Sequence, residues 1–215
     1  MQTIKNYLAI LLLFLPCMLS AQEGMTGLLF SQYTKGTVVM TDGTSSEAML
    51  NYNSLLQQMC FVGSDGSILA IADPAKVNVI VINGRRFHPL KNDIFVERVP
   101  VFTGGSFFVQ WKSVLWSRAK NTGYGATTSA ATTTVGYLSK QATLLSSTEM
   151  FEGRVENSFY IKDAKNKYKK FNSAKSLGKL FPGHGNAIIQ FASEQSIDFN
   201  NIEDISRIVE YAYSL

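Results

Sequence analysis

The chain has 215 residues, of which 46% are hydrophobic and 17% charged, and a formal net charge of +4. That length admits one or two small domains beside any targeting segment, and the composition excludes a wholly disordered chain. The basic excess is too small to imply nucleic acid as a partner.

The N-terminus reads as an address. Lys5 lies in a short polar start, residues 7–19 are apolar, and Ser20-Ala21-Gln22 forms a small-residue exit. This is the pattern of a secretory signal peptide over residues 1–21, with cleavage expected near Ala21. Leu19 is larger than the usual residue at that place, so an uncleaved anchor is the alternative, although the apolar run is short of the ~20 residues that span a bilayer. Cys17 invites a lipoprotein reading, but Pro16 stands where a lipobox has a small residue. Loss of the leader removes Lys5 and Cys17, which leaves a net charge of +3 and a single cysteine, Cys60. No intramolecular disulfide is then available.

Residues 22–118 form the expected β-rich domain. Residues 37–40 and 47–52 flank Asp42-Gly43, a strong turn pair. In the second of these runs Ala48, Leu50 and Tyr52 alternate with Glu47, Met49 and Asn51, the period of a half-buried strand. A second hairpin joins 59–62 to 68–71 across Gly63-Ser-Asp-Gly66. The β-branched run 77–82 ends at Asn83-Gly84, a type I′ signal, and 85–89 returns from it. Residues 94–99 and 107–114 complete the series. Short strands at this spacing predict an antiparallel meander, closed as a small barrel or sandwich. The aromatic side chains are most simply core.

Residues 119–148 change character. The small, uncharged run 126–134 buries little, so a flexible linker or loop is expected, with a functional loop as the sharper alternative. Residues 149–215 read as a β-hairpin plus a helical tail. Lys162, Lys165, Lys167, Lys169 and Lys170, followed by Lys175 and Lys179, crowd around one acid, Asp163. Such a run is usually a solvated face, and it is also the candidate for binding an anionic surface. Three short helices follow. One starts near Asn172-Ser173 and stops at Pro182-Gly183. Another starts near Asn186. The third is capped by Asn201, with Glu203 and Asp204 in its first turn and Ile205, Ile208, Val209 and Ala212 on one face. The fold class is therefore α+β.

The strings Lys179-Leu-Phe-Pro182, Ile188-Ile-Gln-Phe191, Ile197-Asp-Phe199 and Glu203-Asp-Ile205, with Lys35-Gly36, Asp42-Gly43 and Leu50-Asn-Tyr-Asn53, resemble small exported proteins common in Bacteroidetes. The resemblance implies compartment and architecture and carries no activity.

No catalytic residue can be named. His88 near Asp93 and Glu97, with a serine or Cys60, is conceivable as a hydrolase site, but no Gly-x-Ser-x-Gly elbow appears. Two histidines and one cysteine without a CxxC partner do not make a zinc site, and no cofactor is expected. The expected function is a non-enzymatic binding or interaction module, exported to the periplasm, the outer membrane or the medium. Its partner would be an envelope protein or a glycan, with no nucleic acid and at most peripheral contact with a membrane. The alternatives are a secreted hydrolase with dispersed catalytic residues, or attachment to an anionic surface through 162–179. A site is expected where the β-unit meets the 119–148 excursion or the basic hairpin.

Overall fold

The computed structural model describes residues 27–91, 93–117 and 151–215, and side chains within them except at 115–117 and 151–153. The expected leader (1–21) and excursion (119–148) lie outside the described residues.

Ten strands form one antiparallel sheet. In chain order they are β1 (Thr34–Met40), β2 (Ser45–Asn53), β3 (Gln58–Val62), β4 (Ile68–Ala70), β5 (Val77–Ile82), β6 (Arg85–Pro89), β7 (Phe95–Pro100), β8 (Ser106–Gln110), β11 (Ser158–Lys162) and β12 (Tyr168–Phe171). Their spatial order is β12-β11-β8-β7-β6-β5-β1-β2-β3-β4. Strands β9 (Ser113–Ser117) and β10 (Phe151–Val155) pair separately as a two-stranded ribbon. Helices α1 (Ala174–Gly178), α2 (Gly185–Glu194) and α3 (Ile202–Ser214) follow. The α+β class and the meander both form as the turn spacing predicts.

The hairpins owe their register to turn chemistry. Asn83 and Gly84 hold φ of 49° and 77°, the left-handed pair that a two-residue turn requires. Asp42 accepts from the Thr44 N–H at 2.9 Å, and Asp65 accepts from the Ser67 N–H at 3.0 Å. At Gly36 a Cβ would lie 2.6 Å from the Val81 carbonyl oxygen, so β1 and β5 need glycine there.

The sheet curls but does not close into a barrel. Its outer strands, β4 and β12, do not pair with each other. Curling brings the end of β2 against the segment after β8. The Tyr52 hydroxyl donates to the Trp111 carbonyl at 3.0 Å, and the Ser113 N–H donates to the Ser54 carbonyl at 3.0 Å. The helices supply the cover that closure would otherwise provide. Ile205, Ile208, Val209 and Ala212 of α3 pack with Leu177 and Ile188 on Phe107, Val109, Phe159, Ile161 and Phe171. A second cluster, with Leu50, Tyr52, Met59, Ile80, Ile82, Phe87 and Phe95, fills the curl of β1–β7.

Trp111 packs against both clusters. Beside it lies an ion pair. Glu97, only 6% exposed, accepts from Arg85 Nε at 2.7 Å and from Trp111 Nε1 at 2.6 Å. The Arg85 guanidinium stacks over Phe30, Phe87 and Trp111 at 5.0–5.7 Å. Burial of Glu97 is tolerated because its oxygens have charged and N–H partners.

Candidate anion-binding groove

The candidate site arises from strand register. Arg86 on β6 lies opposite Arg98 on β7, which lies opposite Phe108 on β8. Phe108 faces Tyr160 on β11, and Tyr160 faces Lys170 on β12. These five residues form one row across five strands, about 19 Å long at ~4.8 Å per strand. Because side chains alternate, the row points away from the face of Phe87, Val109, Phe159 and Phe171, which belong to the apolar clusters. His88 and Lys162 lie two residues along their strands from Arg86 and Tyr160, so they join the same face.

There they line a groove of about 390 Å³, with Arg86, Arg98, Ser106, Phe108, Asn166 and Tyr213. Its floor is aromatic. Phe108 is 3% exposed and meets the His88 ring edge-on at 6.1 Å and the Tyr168 ring edge-on at 4.9 Å. Lys162 Nζ stands 5.4 Å from the Phe108 ring centre and 4.9 Å from that of Tyr168. The Arg98 Nε donates to the Ser106 hydroxyl at 3.2 Å, and the Tyr213 hydroxyl donates to the Ser106 carbonyl at 3.3 Å.

The charge balance is one-sided. No carboxylate is among the lining residues. Arg86, Arg98 and Lys162 make no ion pair with any described residue. The acid nearest in sequence, Asp163, is committed elsewhere. Its Oδ1 accepts from the Lys165 and Lys167 N–H groups at 2.9 Å each, and Oδ2 lies 3.6 Å from Lys169 Nζ. The backbone N–H of Lys167, then that of Lys165 with Lys169, holds its carboxyl below the usual range.

His88 reflects this field. Burial pushes its pKa below 6.5, and Lys162, Arg98 and Arg86 push the same way, against the Asn78 carbonyl. Nδ1 lies 3.2 Å from that carbonyl oxygen, the place of an Nδ1–H donor. Burial raises the Tyr168 hydroxyl to about 12 and raises that of Tyr160 too, so both are neutral donors.

The five lysines expected to meet an anion are divided by the fold. Lys162 lines the groove, and Lys170 shares its face through the row. Lys165 and Lys167 are exposed on the β11–β12 turn. Lys169 alternates to the other face, opposite Ile161, and pairs with Asp163. Sequence reading did not anticipate Arg86 and Arg98, and it weighed His88 only as a catalytic base. Alternation around Phe87 places Arg86 and His88 on one face, but their meeting with Arg98 needs the β6–β7 register.

The other reactive groups lie elsewhere. Cys60 is 5% exposed, and burial raises its thiol to about 11. It sits on β3, four strand steps from His88 on β6. Glu97 belongs to the Arg85–Trp111 pair. His184 stands at the N-cap of α2 without a capping side-chain bond. Among the described residues no group of three His, Cys, Asp or Glu side chains could hold a metal ion. No described helix is long and apolar enough to cross a membrane. Comparison with protein-family models, with curated proteins and with solved structures finds no match to this chain.

Proposed function

We propose that the protein is an exported, non-enzymatic binding module that holds an anionic ligand in the groove between β6–β8 and the β11–β12 hairpin. One observation carries this reading. Two guanidiniums and an ammonium converge on one sheet face with no carboxylate among them. Like charges directly opposite on neighbouring strands destabilise a sheet, so an anion bound at Arg86 and Arg98 would offset their repulsion. The planar donors of arginine suit sulfate, phosphate and carboxylate groups. The signal-peptide pattern expected of residues 1–21 supports export, and the resemblance to small exported Bacteroidetes proteins supports the same compartment.

The geometry favours binding over catalysis. In a Ser-His-Asp triad the base is oriented by a carboxylate and serves an adjacent nucleophile. His88 faces cations and a backbone carbonyl, and the nearby Ser106 hydroxyl accepts from Arg98.

Calorimetric titration of the chain from residue 22 onward with dextran sulfate tests the proposal. Binding is expected to be strong at low salt and to weaken as salt is added. A hydrogen bond to a charged group contributes about 1.5–3 kcal/mol. Arg86→Ser with Arg98→Ser should therefore weaken binding at least about tenfold. Lys76→Ser, which removes a lysine already paired with Asp73, should leave it unchanged. Absence of binding, or a double variant that binds like the parent, rejects the reading.

A further inference from the structure

Beside the groove the β7–β8 turn holds out Phe102, fully exposed, while its neighbour Val101 is buried in the core. The turn is fixed from behind. Glu210 of α3 accepts from the Phe102 N–H at 2.7 Å and from the Thr103 N–H at 2.8 Å. The Gly104 N–H donates to the Val101 carbonyl at 3.1 Å, the Val101 N–H donates to the Gly105 carbonyl at 3.1 Å, and Gly105 lies against the Tyr213 ring. Such a scaffold keeps the ring in water although folding buries most other phenylalanines of the described chain. Register places a second turn alongside. Tyr160 faces Phe108, so Lys162 at the end of β11 comes level with Ser106 at the start of β8. The 163–167 turn therefore adjoins the Phe102 turn and exposes Lys165 and Lys167.

We infer that this end of the sheet docks on an anionic lipid bilayer, with Phe102 entering the interface while Arg98, Lys162, Lys165 and Lys167 meet lipid phosphates. This names the anion of the proposed function and rests on that reading. The chemistry is that of peripheral binding: an aromatic ring takes the acyl boundary and basic side chains take the head groups. A soluble acidic glycan would use the same cations, and the dextran sulfate titration separates it from a bilayer.

The test is co-sedimentation of the chain from residue 22 onward with vesicles of phosphatidylcholine, with and without phosphatidylglycerol, beside the dextran sulfate titration. Binding is expected only to vesicles that contain phosphatidylglycerol. Phe102→Ser should weaken it roughly tenfold or more, from the lost apolar burial. Phe102→Trp should preserve it, and neither variant should alter binding to dextran sulfate. Lys165→Ser with Lys167→Ser should weaken vesicle binding by roughly fivefold per lysine. The Phe102 side chain is fully exposed, so the serine variant keeps the fold. If Phe102→Ser binds vesicles like the parent, or the parent binds dextran sulfate and not vesicles, the lipid assignment falls and the anion groove stands. If neither probe binds, both fall.

Discussion

Arg86 and Arg98 set function against stability at a single cross-strand position. They are cross-strand partners lining one groove, and neither has an acidic partner among the described residues. Opposed like charges cost roughly 0.2–1 kcal/mol relative to a neutral pair. Arg86→Thr should therefore raise the thermal midpoint of the free protein while it weakens dextran sulfate binding. Threonine also suits an exposed strand position. A lower midpoint would mean that Arg86 is held by a favourable contact and is not poised for a ligand. His88 reports on the same field. Its folded pKa lies below 6.5, chiefly through burial, with Lys162, Arg98 and Arg86 adding to it. As pH falls the unfolded chain takes up this proton first. The group's contribution to stability is thus present above about 6.5 and is lost as pH falls through the folded value. An anion in the groove reverses the repulsion. NMR titration should place the His88 pKa below 6.5 in the free protein and higher in the complex. By linkage, affinity should then rise as pH falls through that interval. A His88 pKa unmoved by ligand would place the anion elsewhere.

At the scale of elements, what the sequence makes legible is local. Asn83-Gly84 marks its turn because few other pairs accept two left-handed residues. Asn201 marks the start of α3 because its side-chain oxygen accepts from the Glu203 N–H at 2.8 Å, and the acids behind it suit the helix dipole. Ser173 marks α1 in the same way, through a reciprocal cap with Ser176. Failures occur where distant backbone competes. The run 107–114 reads as one strand, but it breaks at Trp111-Lys112 between β8 and β9. There the Trp111 carbonyl takes the Tyr52 hydroxyl, and the Lys112 N–H donates to Asn157 at 3.1 Å. Asn51 alternates to the polar side of β2 and is nevertheless fully buried. It holds residues 30–32 over the sheet, accepting from the Phe30 N–H and donating to the Phe30 and Gln32 carbonyls. The groove is legible in halves. Arg86 with His88 follows from alternation within β6, and Lys162 with Lys170 from the register of the β11–β12 hairpin. Their union depends on which strand β11 joins, and no local signal states that β11 returns to the edge of β8.

Over the whole molecule, one sheet carries two apolar clusters, and their junction should govern cooperativity. The helix-covered cluster sits on β7, β8, β11 and β12, and the other fills the curl of β1–β7. Trp111 packs on both, and its Nε1–H donates to Glu97, which also anchors Arg85 among the rings of Phe30, Phe87 and Trp111. Hydrogen bonds alone would let the continuous sheet fray from either edge, because among the described residues β4 and β12 are its outer strands. Trp111, packed against both clusters, is expected to tie them into one unfolding unit. Trp111→Phe keeps an aromatic ring and removes the donor from a nearly buried carboxylate, at a cost of about 2 kcal/mol. Native-state hydrogen exchange should give the same opening free energy for Ile80 and Ile82 as for Val109 and Phe159 in the parent. In the variant the two sets should separate, with the β1–β7 cluster opening at lower free energy, since its ring stack around Arg85 is also disturbed. If both sets fall by the same amount and remain equal, the sheet and not Trp111 couples the two clusters.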